Sequence, residues 1–168
     1  MAEALSLNVM LKMVGALSNA LDLSTPTDAF LKDYSLTFAN GTGINQANML
    51  WHDQRTLTAS AAETLDISGG LTSAFGTTIV FTAIKGLLVY AASGNTNDVQ
   101  VTRPASEGVT LFLAASDGIA VRPGGVFLWV DPTAAGTAVV AATSDDLTFT
   151  KSAGSTSVTW DVWIWGEV

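Results

Sequence analysis

The chain has 168 residues, enough for one domain that buries about 70% of its extended surface without a disulfide or a metal. Fifteen acidic side chains against seven basic ones leave a net charge of −8. The basic residues (Lys12, Lys32, Arg55, Lys85, Arg103, Arg122, Lys151) stand singly, so neither nucleic acid nor an anionic membrane is an expected partner.

Cysteine is absent, which excludes thiol catalysis and leaves the redox compartment unread. Only 13% of the residues are charged, about half the usual share. Such a composition suits a chain whose surface is covered by neighbours, or one that is secreted or part of a virion. The first 17 residues lack a basic start, and Asn8 and Lys12 interrupt their apolar run. They do not read as a secretory leader, and no stretch reaches the roughly 20 apolar residues of a membrane-spanning helix.

Leu5, Leu7, Val9, Leu11 and Met13 alternate with polar neighbours, which predicts a strand. A helical spacing (Leu7, Leu11, Val14, Leu17, Leu21) fits the same residues. The β-rich remainder favours the strand. Pro26 closes the segment, residues 34–38 form a short strand, and Asn40-Gly-Thr-Gly43 is a turn. Further strands are predicted over 54–59 and 65–67. The longest apolar run, 77–92, reads as a central strand bent at Gly86. Strands follow at 99–102, 109–114, 119–122, 126–130, 137–143, 147–151 and 155–167. Pro123-Gly-Gly125 joins two of them as a hairpin. Short strands with a turn signal about every 8–12 residues predict an all-β fold. The expected architecture is a single β-sandwich domain over 1–168, a jelly roll, with residues 1–40 as an N-terminal arm or edge strands.

The last strand has two unlike faces. Val158, Trp160, Val162 and Ile164 share one, a core face; Thr159, Asp161, Trp163 and Trp165 share the other. Two indoles on a half-polar face either pack under another part of the chain or meet a partner.

Catalytic patterns are few. His52 and Asp53 adjoin, but neighbours on a strand point to opposite faces, and no G-x-S-x-G elbow occurs. One histidine and no cysteine cannot build a zinc site. Asn95, Asn97 and Asp98, or Asp145 and Asp146, offer oxygen ligands for calcium without EF-hand spacing; turn chemistry explains them as well. No cofactor is expected, and the chain reads as a non-enzyme. Trp51, Trp129, Trp163 and Trp165 are candidates for stacking on sugars, or for core and interface.

Residues 41–85 hold Gly41-Thr-Gly43, Gln46-Ala47, Asp53-Gln-Arg55, Leu65-Asp66, Gly70-Leu71, Phe75-Gly76 and Ile84-Lys85. Farther on come Ser93-Gly-Asn-Thr96, Pro123-Gly-Gly125, Asp146-Leu147 and Ile164-Trp-Gly166. In these features the chain resembles a family of small virion proteins of tailed bacteriophages. The resemblance implies a capsid decoration (cement) protein on the outer surface of the head, a homo-oligomer (dimer or trimer) bound to the major capsid protein. Expected interface residues are Trp163 and Trp165, with Leu5, Leu7, Val9, Leu11 and Met13 as an arm. The alternative is a host-surface or carbohydrate-binding module of a tail or fibre.

Overall fold

Strands and turns, without a helix, run through the residues that the computed structural model describes, 4–58, 62–154 and 156–168. β1 (Leu7–Ser18) and β2 (Thr27–Asn40) form a long antiparallel hairpin, and β3 (Gln46–Ala47) lies parallel to the end of β2. Two larger sheets come next. β4 (Met49–Leu57), β8 (Ala83–Ala91), β11 (Val126–Val130) and β14 (Val158–Glu167) make one, in the order β11-β8-β14-β4. β12 (Thr137–Ala138) also pairs with β8. β5 (Glu63–Asp66), β9 (Val99–Thr102), β10 (Gly118–Val121) and β13 (Asp146–Lys151) make the other, in the order β10-β9-β13-β5. β6 (Ser68–Thr72) and β7 (Thr78–Val80) form a small separate pair.

The chain is an all-β sandwich, as the alternation of apolar residues predicts. Inward-facing side chains of the two sheets meet in one core: Leu87, Val89, Val162 and Ile164 from one, Val101, Leu147 and Phe149 from the other. The Trp160 and Phe149 rings stack at 5.3 Å and 15° across that gap. Burying a ring of tryptophan size removes about 150–250 Å² from water, at most about 4–6 kcal/mol. The main strands pair from the outside in: β4 with β14, β5 with β13, β8 with β11, β9 with β10, all antiparallel.

Several sequence expectations need correcting. The run 77–92 is two strands, β7 and β8, in different sheets. Between them Phe81 N donates to Ile67 O and Thr82 N to Glu167 O, which carries the chain from one layer to the next. The expected bend at Gly86 falls inside β8, where the register against β14 slips between Trp165 and Gly166. Residues 109–114 are a loop: Val109 is buried, but Leu113 is fully exposed, and backbone bonds from Val109 to Asp146 and from Asp117 to Ala114 replace a ladder. Pro123-Gly-Gly125 does not make a hairpin. β10 pairs with β9 and β11 with β8, and the turn switches sheets, held by Gly124 N donating to Ala91 O. Beyond Ala138 the segment 137–143 leaves strand geometry. At the N-terminus the strand reading holds over the helical one, yet both hairpin strands run longer than predicted, because each supplies the other's ladder. Ala59 and Ser155, ends of two predicted strands, lie outside the described residues.

Candidate functional site

The hairpin is an arm. Its strands are matched over 12 cross-strand pairs, from Leu7–Phe38 at the root to Ser18–Thr27 at the tip, about 40 Å of ribbon at ~3.3 Å per residue. Opposed residues share a face. One face carries Leu7, Val9, Leu11, Met13 and Leu17 from β1, opposed by Phe38, Leu36, Tyr34, Lys32 and Asp28 of β2; between the last two rungs, Phe30 lies over Gly15. A Cβ at residue 15 would stand 2.7 Å from the Phe30 ring, so the aromatic covers the gap that glycine leaves. The opposite face is mixed, with Asn8, Lys12, Asp33 and Ser35 among Met10, Val14 and Leu31.

The root of the apolar face is covered and the rest is not. Leu5, Leu7, Val9 and Leu36 pack, with the fully buried Phe38, on the outer face of the larger sheet. Farther out, Leu11, Met13, Phe30 and Tyr34 are each about half exposed, and Leu17 is 75% exposed. A two-stranded ribbon is marginal in water on its own. The uncovered distal part of this face is a candidate contact surface.

The two indoles separate at this root. Trp165 is buried, 2% exposed, edge-on to Phe38 at 6.1 Å and 69°. It is therefore a floor for the arm of its own chain and not a free anchor, which corrects the expected role. Trp163, one row farther from the root, stays half-buried and stacks on His52 at 6.5 Å and 27°. With Leu88, Leu128 and Met10 it lines an apolar cavity of about 250 Å³ beneath the arm. Of the expected interface residues, Leu5, Leu7, Val9 and Trp165 thus hold the arm to the body, Leu11 and Met13 face solvent, and Trp163 lies between.

Lys85 was not singled out as chemistry by its sequence context, yet it fixes this root. Its fully buried Nζ lies 2.6 Å from Glu167 Oε1 and donates to the carbonyl of Gly43 at 2.9 Å. The turn leaving the arm is thereby tied to the end of β14. No pattern in the sequence marks a lysine inside a run of aliphatic residues as paired.

Elsewhere most of the polar candidates have partners within the chain. Asp53 pairs with Arg55 at 2.9 Å, and Arg55 with Glu63 at 3.0 Å, while His52 stacks instead of meeting a carboxylate. Asn95 both donates to and accepts from the Thr159 backbone, at 2.8 and 2.9 Å, and Asp98 meets Arg122 at 3.2 Å. Asp145 accepts from Ala142 N at 2.8 Å. Burial first, then the neighbouring Asp145, Glu107 and Asp66, raises the Asp146 carboxyl above its ordinary value. Among the described residues no group of three or more His, Asp or Glu is placed to hold a metal ion. An open cleft of about 820 Å³ lies between β4 and the β6–β7 turn. It is lined by His52, Asp53, Ser73 and the 80%-exposed Phe75. Trp51 at its base is buried, with the Arg55 guanidinium over its ring.

Compared with protein-family models, curated proteins and solved structures, the chain matches none of them.

Proposed function

We propose that the protein is a structural subunit that works by adhesion between its own surfaces and those of its neighbours, and that it decorates the outside of a tailed-phage head. The observation that carries this reading is the distal arm, whose apolar face from Leu11 to Leu17 and from Phe30 to Tyr34 has nothing covering it in the single chain. The resemblance over residues 41–85, the low charge and the outside-in pairing of the sandwich strands support the same reading. The acidic balance agrees with a surface turned away from packaged DNA.

The test is the composition and reconstruction of purified particles of the virus that encodes the chain. The reading expects the protein in numbers comparable to the major capsid protein and on the outer head surface. Absence from the particle, or a place confined to the tail, overturns head decoration.

The open cleft favours a second reading, a glycan-binding module, because Phe75 offers an exposed ring beside Asp53 and Ser73. Asp53 is engaged by Arg55 and Ser73 Oγ by Thr77 Oγ1 at 2.7 Å, so this reading ranks second. A glycan array with the purified protein decides it: binding lost in Phe75→Ala supports the module, and silence removes it.

A further inference from the structure

We propose that the partner covering the arm is the arm of a second copy of this chain, packed apolar face to apolar face about a two-fold axis through the Gly15–Phe30 rung. This rests on the structural-subunit reading and adds the partner and its register.

Only two charged residues interrupt the apolar face, Lys32 opposite Met13 and Asp28 opposite Leu17. They lie on β2, one rung to either side of Phe30 on that face, with opposite signs. In a two-fold contact centred on Phe30, the Lys32 of each copy stands over the Asp28 of the other. Both charges then find a partner at once, and Met13 meets Leu17. Within one chain neither residue has an ion-pair partner among the described residues, and the Lys32 ammonium rests instead over the Tyr34 ring at 5.4 Å. Closed two-fold contacts require such self-complementarity, and an unrelated partner does not.

Charge over the whole molecule points the same way. The arm, residues 5–40, holds two lysines and three aspartates and is nearly neutral, whereas most of the net −8 lies on the rest of the chain. Two copies repel least where their arms meet. Area sets the strength. Centred on that rung, the two ladders overlap over residues 12–18 and 27–33, a strip about 23 Å long and ~10 Å wide that offers on the order of 230 Å² per copy before side-chain relief is counted. Two such strips fall well below the roughly 1,200 Å² in total of a stable specific interface. A dimer that dissociates on dilution is therefore expected in solution, becoming firm where many copies are held side by side.

Sedimentation velocity of the full chain over a wide concentration range tests this, with Lys32→Asp, Asp28→Lys and the double swap beside the wild type. Both residues are exposed, so circular dichroism should be unchanged in all of them. The wild type and the double swap are expected to dimerise, and each single variant to weaken the dimer by roughly tenfold or more. A second measurement is independent of charge: because the chain has no cysteine of its own, Phe30→Cys should give a dimer with a short bismaleimide linker. Leu113→Cys, fully exposed on the body, should not. A wild type that stays monomeric, single variants that dimerise like the wild type, or linking through residue 113 alone overturns the contact. A monomer that still coats heads discards this register and leaves the structural reading standing. A dimer of this register that is absent from the virion does the reverse.

Discussion

Trp165 sits against the backbone of Gly86, its direct partner across β14 and β8, and a β-carbon at residue 86 would collide with the indole. The register of the two strands slips just beyond, between Trp165 and Gly166. The missing side chain lets the ring lie down on the sheet, and the ring in turn floors the root of the arm. Gly86→Val should therefore raise the indole off the sheet and cost at least the 1–3 kcal/mol typical of overpacking (roughly). Denaturant unfolding followed by tryptophan fluorescence reads both effects, and a variant as stable as the wild type would contradict them.

The buried Lys85–Glu167 pair makes a second prediction. Removing one partner strands a charge in the core, so Lys85→Met or Glu167→Gln should each lose about 3–5 kcal/mol if the other group stays buried. Lys85→Met combined with Glu167→Leu should recover much of that loss, since well-packed apolar groups often replace an ion pair at little cost. A double-mutant cycle in chemical denaturation measures it. Additive losses would show that the two groups do not act as a pair.

Root and distal arm should respond differently. Phe38 is fully buried, and Phe38→Ala should cost about 3–5 kcal/mol. Phe30→Ala, at half exposure on the distal arm, should change the stability of the dilute monomer by only about 0.5 kcal/mol or less. If Phe30→Ala destabilised the monomer as much as Phe38→Ala, the distal face would belong to the fold and not to a partner.

Asp146 sets a pH dependence. Its carboxyl lies above the ordinary 3.8 because of burial and the acids around it. The folded chain thus holds this proton to higher pH than the unfolded chain does. Stability falls as pH rises through the window above 3.8, and the penalty is absent below it. Asp146→Asn should unfold at higher denaturant than the wild type at neutral pH, with the difference fading by about pH 3. A constant difference at all pH values would contradict the assignment.

Much of the sandwich was legible because its strands alternate cleanly. Val158 to Ile164 shows its buried face at every second residue, and β9, β11 and β13 fall within a residue or so of their predicted spans. What escaped depends on distant partners. Residues 109–114 alternate like a strand, but no neighbour offers an edge there. Residues 77–92 look continuous because Phe81 and Thr82, between the two strands, are as apolar or β-branched as their surroundings. At the candidate site, Leu11 and Met13 were readable as an arm, since an apolar period-two stretch of that kind serves for pairing wherever it lies. Trp163 and Trp165 were readable as an unusual pair. That one is covered and the other half-open follows from where the arm crosses the sheet, which no local pattern records. Lys85 was hidden for the same reason, its partner lying 82 residues away at Glu167.

Hydrogen exchange of the full chain at low and high concentration tests most directly whether the arm is the adhesive part of the molecule. Amides of the distal arm, residues 11–18 and 27–34, should exchange quickly in the dilute chain, where the ribbon is unsupported, and slow markedly as concentration rises, while those of β8 and β14 stay unchanged. Exchange in the arm that ignores concentration, or slowing confined to the body, would contradict it.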